Sequence, residues 1–200
     1  MKTKFLLTAI VPMILAVACT TSIMIFFENR NSQTEIIEFE QSQLQERKNT
    51  LKDSANIASS IIENTVLKHG LNTKGQQEVT MALKDARFFN GAGYFFVFDK
   101  ELNFIAHPIK PQLNNTDASN LIDPNGVNII KGLKNRADNS DGFLQYVFDK
   151  PGSNHPQPKL GYAISIGGTP WYIGTGLYID DLEREAAAFV EKSKSSLHQQ

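Results

Sequence analysis

The sequence predicts an α+β fold, with one amino-terminal transmembrane helix, a long polar helix packed on a five-stranded antiparallel sheet, and a carboxyl-terminal exit helix. Three observations carry this reading. Phe5 to Phe27 is a run of 23 residues without a charge, Glu28 to His69 holds no proline or glycine, and from Gly93 onward the apolar period changes to two.

The apolar run is long enough to cross a hydrocarbon layer of about 30 Å as a helix. Lys2 and Lys4 precede it and Glu28, Glu35, Glu38 and Glu40 follow, so the positive-inside rule puts residues 1–4 in the cytoplasm, residues 5–27 in the membrane and the rest outside. The chain is thus expected to be a single-pass membrane protein with its bulk outside the cytoplasm. A cleaved or lipidated leader is the rival, because LAVAC leads into Cys19, but the apolar run continues past it to Phe27.

Residues 28–75 read as the long first helix of the exported part and its terminating loop. Ile37, Leu44, Leu51 and Ala58 recur at intervals of seven, joined by Ile57, Ile61 and Ile62. That stripe is either a homodimer seam or the face that lies on the chain's own sheet, and the second is preferred. HGLNTKG breaks the helix, and a shorter one follows over Gln76 to Ala86. GYFFVFD, LNFIAH, GFLQYVF, KLGYAIS and WYIGTGLYI read as five strands. The first two form a hairpin around Lys100 and Glu101, and a long loop from Ile109 to Gly126 leads into a helix near Val127 to Ala137. Residues 76–181 thus form the core. Asp180 and Glu183 have capping-box spacing, which starts an exit helix within residues 182–200.

Composition excludes several functions. With 20 Lys and Arg against 21 Asp and Glu, the net charge is −1, which does not suit a nucleic-acid binder. Cys19 is the single cysteine, so no disulfide and no multi-thiolate zinc site forms within the chain. His69, His107, His155 and His198 show no metal-ligand spacing, and no nucleophile motif or phosphate loop is present. No metal, cofactor or catalytic constellation is expected.

Arg87, GYFFVFD, His107-Pro108, DPNG (123–126), GFLQYVFDKPG, PKLGY and WYIGTGLYIDD occur in an order that resembles the single Cache domains (sCache_2-like) of bacterial chemoreceptors and sensor kinases. The resemblance covers residues 87 to 181. It implies a PAS-like, extracytoplasmic sensor, anchored in the inner membrane and facing the periplasm, that binds a small ligand, with short organic acids a frequent class, and relays the event across the membrane. Such receptors usually continue into a second span and signalling modules, so the expectation is either a sensor piece of a longer receptor or a stand-alone anchored sensor. A solute-binding protein and an adaptor that contacts a protein partner are the alternatives.

For a carboxylate ligand the chain offers several donors. Arg87 holds the family's motif position and has a planar fork that matches two oxygens. His107 donates to a carboxylate or sits as a core histidine, on a strand that alternation shares with Asn103 and Ile105. Lys159 supplies a second cation. Tyr162 falls on the opposite face from Lys159 unless Gly161 carries a bulge. Tyr94, Phe96, Tyr146, Trp171 and Tyr178 are the aromatic candidates for the pocket wall. On the strand carrying Trp171, alternation sets Tyr172, Gly174, Gly176 and Tyr178 on one face, so the two glycines leave a gap for a ligand or a packed element.

Overall fold

A computed structural model describes residues 2–150 and 152–197. The elements run α1 (Lys2–His69), α2 (Thr73–Lys84), β1 (Arg87–Phe88), β2 (Gly93–Asp99), β3 (Phe104–Ala106), a 3-10 turn (Pro111–Leu113), α3 (Ile129–Asn139), β4 (Phe143–Phe148), β5 (Gln157–Ser165), β6 (Trp171–Tyr178) and α4 (Leu182–Leu197). The membrane run and the long polar helix are one continuous helix. Among the described residues, this helix is the one long and apolar enough to cross a membrane.

Leu44–Asp181 forms one compact unit, and Met1–Gln43 with Leu182–Gln200 forms another. In the second unit, Ala186 and Val190 of α4 are buried and Phe189 stacks on Phe39 at 4.4 Å.

The larger unit holds the antiparallel sheet, in the order β1-β2-β6-β5-β4, with β3 also on the free edge of β2. Six strands therefore occupy five positions, because β1 pairs the start of β2 and β3 its end. The β2–β3 connection is longer than two residues. Leu102 turns with φ 71 and a register shift falls at Val97/Phe98.

One sheet face packs on helices. Leu51, Ala55, Ala58, Ile62 and Val66 of α1 are buried, together with Val79 and Leu83 of α2, against Phe95, Val97, Trp171, Ile173 and Leu177. The seven-residue stripe is therefore intramolecular at Leu51 and Ala58, while Ile57 and Ile61 stay exposed. Side-chain caps start the shorter helices: Asn72 accepts from Lys74 N and Gly75 N, and Asn128 accepts from Lys131 N. The other face carries Tyr94, Phe96, Phe98, Tyr146 and Phe104 under α3 and the loop before it. Asp123 ties that loop down, with Oδ1 accepting from Asn125 N and Val127 N, and Oδ2 from Val147 N of β4.

Candidate functional site

Glycines on the α3 side of the sheet let large side chains lie flat against the strands. Phe96 pairs across from Gly174, where a Cβ would strike its ring. A Cβ on Gly176 would sit 2.7 Å from Lys159 Cε, and one on Gly161 would meet the Tyr146 ring. The alternation read from the β6 sequence is correct, but its gap is filled from within the sheet. The two notches seat Phe96 and Lys159 rather than a helix.

Beside these side chains lies a small cavity of about 10 Å³, lined by Tyr94, Phe96, Phe104, His107, Leu121, Ile129, Ile130, Tyr146 and Phe148. That is room for about one water. Lys159, at 0% exposure, does not line the cavity itself, but its ammonium lies against two of the lining residues, Tyr94 and Phe148. Its Nζ donates to the Tyr94 hydroxyl at 2.9 Å and lies 4.1 Å from the Tyr94 ring centroid, 5.0 Å from that of Tyr178 and 5.5 Å from that of Phe148. Among the described residues no carboxylate pairs with it. Burial, then the charge of Lys110, pushes its pKa down to about 7.

His107 is buried among the rings of Tyr94, Phe96 and Phe104. Its Nδ1 accepts the Lys110 backbone N–H at 3.0 Å, so the neutral ring carries its proton on Nε2. Burial, then Lys159 and Lys110, lower its pKa to about 4, which keeps it neutral near pH 7. Burial foremost raises the Tyr94 and Tyr146 phenols, so both stay protonated. Burial, then Asp149 and Asp180, pushes Tyr178 up to about 12.

Of the residues expected from sequence, the structure brings together Tyr94, Phe96, His107, Tyr146, Lys159 and Tyr178. Three lie elsewhere. Trp171 is in the core on the opposite face, beside Ile62 and Val97. Tyr162 is also on that face, 4.6 Å from the Phe143 ring, and the β4–β5–β6 register runs through Gly161 without a bulge. Arg87 is exposed on the edge strand and donates to the Ala86 carbonyl, although its register partner is Tyr94.

His107 has different face neighbours from those that alternation gives. β3 ends at Ala106, so His107 joins Phe104 at the cavity while Ile105 packs on the helix side. Lys159 is fully buried rather than solvated at a strand end. Phe148 was legible as the alternation partner of Tyr146, whereas nothing in the sequence marks Leu121, Ile129 or Ile130 as lining residues.

The end of β6 is held by cations. Arg47 of α1 donates through one nitrogen to the Tyr178 carbonyl and, at 2.7 Å, to Asp181 Oδ1. Lys150 binds both oxygens of Asp180 at 2.8 Å. The Asp180 carboxylate expected in a capping box is thus engaged by Lys150. Tyr178 is the shared piece: its ring lies over Lys159, its hydroxyl donates to the Asp149 carbonyl, and its own carbonyl is held by α1.

A sheet with α1 and α2 on one face, and α3 with its preceding loop over a small aromatic-lined cavity on the other, is the arrangement of a PAS-like fold. A Cache domain family model (dCache_2) matches residues 28–199, and the chain belongs to that family. It is 28% identical over 180 residues to the sensor histidine kinase MctS of Rhizobium johnstonii, covering 90% of this chain and 39% of that protein. Against the methyl-accepting chemotaxis protein McpP of Pseudomonas putida it is 30% identical over 118 residues, 58% of this chain and 22% of the other. The chain thus spans well under half of either relative. A crystal structure of a methyl-accepting chemotaxis protein from Vibrio parahaemolyticus superposes with a TM-score of 0.67 at 35% identity, covering 74% of this chain and 99% of the other.

Proposed function

We propose that the chain is the extracytoplasmic sensor of a membrane-anchored signalling protein, and that its ligand is a short monocarboxylate held at Lys159. The single observation that carries this is the ammonium at 0% exposure with no carboxylate beside it. A buried cation without a counter-ion is costly, and an anion entering the cavity removes that cost. Lys159 has two remaining donors, Tyr94 retains its O–H, and His107 presents Nε2–H, which together match the lone pairs of one carboxylate.

The same inventory selects among acids. No acidic side chain lines the cavity, so an α-ammonium group would find no partner and amino acids are disfavoured. The aromatic and aliphatic walls accept a short alkyl tail. Because the cavity holds about one water, ligand entry must move the loop of residues 107–128, and only small acids fit without disrupting α3.

The output runs through Tyr178. A ligand that draws Lys159 toward itself shifts the ring resting on it, and the Tyr178 carbonyl and Asp181 transmit that shift to Arg47 of α1 and to the start of α4. The reading takes residues 5–27 as the anchor in the inner membrane and residues 76–181 as the periplasmic ligand-binding core, with no catalytic role.

Thermal unfolding of the whole chain in lipid nanodiscs, with acetate, propionate, succinate, alanine and methylamine, tests the proposal. A ligand at a hundred times its dissociation constant adds about 2.7 kcal/mol. A rise with propionate and none with alanine supports it. A rise with alanine or methylamine alone would end the carboxylate reading.

A further inference from the structure

Lys159 is fully buried in this state, so a ligand must break some contact to reach it. Most of the cavity wall is core. Phe96 and Tyr146 are packed onto glycines of the sheet, and Ile129 and Ile130 are buried residues of the first turn of α3. The wall differs where the segment after β3 meets the end of β4. There the Lys110 ammonium lies 4.7 Å from the centroid of the Phe148 ring, which lines the cavity, and pairs with Asp149 Oδ2 at 2.7 Å. The Lys110 and Asp149 side chains are 28% and 65% exposed, so water reaches this contact.

Two hydrogen bonds and one charge effect make the pair part of the site. The Lys110 backbone N–H fixes the His107 tautomer. The Asp149 carbonyl accepts from the Tyr178 hydroxyl, above Lys159. The Lys110 charge acts on both His107 and Lys159. One ion pair therefore joins the segment after β3, which carries the donor His107, to the end of β4, which carries the lining residue Phe148.

We propose that Lys110 and Asp149 are positioning residues that latch the mouth of the anion cavity, and that ligand enters and leaves between His107 and Phe148 when this pair parts. The inference rests on the assignment of the cavity as the ligand site. Neither side chain touches the ligand; the pair sets how often the cavity opens. An exposed pair of this kind is worth up to about fivefold in a local equilibrium, which sets the size of the expected effect.

The test separates opening from ligand identity. Lys159 is modified with formaldehyde and cyanoborohydride in the whole chain at pH 7.5, and its rate is read by mass spectrometry against exposed lysines in the same sample. Because Lys159 is enclosed, its rate reports how often the mouth opens, with no carboxylate present. K110M and D149N each raise that rate about two- to fivefold, and the double variant adds nothing beyond either one. In parallel, propionate dissociation measured by stopped flow accelerates by the same factor in each variant.

Unchanged Lys159 labelling in both single variants, or fully additive effects in the double variant, would overturn the latch. If labelling accelerates while propionate fails to bind the wild-type chain, the latch stands as a gate to the cavity and the carboxylate assignment falls.

Discussion

Raising the pH from 7 to 9 weakens carboxylate binding, because the cation that holds the ligand loses its proton. In the free chain Lys159 titrates at about 7, lowered by burial and then by Lys110. A bound carboxylate favours the charged form and returns the group toward its ordinary range near 10.4. Binding above pH 7 therefore takes up a proton. With a free-state value of about 7, affinity falls by about thirty- to fifty-fold between pH 7 and 9, or roughly 2 kcal/mol.

The sign also sets the stability of the free chain. Its Lys159 lies below the unfolded value, so between about pH 7 and 10.4 the unfolded state holds more protons, and this group makes stability rise with pH. Saturating ligand removes that rise. Titration calorimetry with propionate in two buffers of different ionisation enthalpy measures the uptake directly. About 0.9 proton is expected at pH 8 and about 0.1 at pH 6. An affinity independent of pH, with no buffer dependence of the heat, would refute the argument, since His107 at about 4 and the raised phenols do not titrate in this window.

Other perturbations give separate signatures. Lys159→Met abolishes propionate binding while leaving stability near pH 7 unchanged or higher by up to about 3 kcal/mol, because it removes a buried charge; Arg87→Ala, at an exposed edge position, changes affinity by less than about threefold, both by calorimetry and urea unfolding. Gly174→Ala places a methyl in the Phe96 ring and costs about 1 to 3 kcal/mol in urea unfolding, with weaker binding as Phe96 is pushed into the cavity. Arg47→Met frees the Tyr178 carbonyl and Asp181 and costs about 2 to 4 kcal/mol by the same assay, while propionate affinity falls less than in Lys159→Met.

Much of this architecture is written in local pattern. The change of period at Gly93, the uninterrupted helix from Glu28 to His69 and the glycine-notched β6 each follow from chain geometry, and the structure reproduces them. Gly174 and Gly176 even mark the face on which the cavity lies. What alternation could not supply is where a strand stops. β3 is three residues long, so His107 turns to the face opposite the one its sequence parity gives.

Alternation did separate Tyr162 from Lys159, and the unbroken register through Gly161 agrees. Trp171 shares the parity of Ile173 rather than of Tyr178 and goes to the helix side for that reason. Lys159 is illegible for another reason: a lysine after a proline at a strand end is normally solvated. Its burial depends on Tyr94, Phe148 and Tyr178 arriving from three other places in the chain. The same holds for Ile129 and Ile130, which reach the cavity through the Asp123-anchored loop.

A crystal structure of the whole chain grown with propionate tests the central claim most directly. The account predicts its carboxylate in the enlarged cavity, within hydrogen-bond reach of Lys159 Nζ, Tyr94 Oη and His107 Nε2, with the residues after β3 displaced. Propionate bound at Arg87 or elsewhere on the surface, with the Lys159 cavity unchanged, would contradict it.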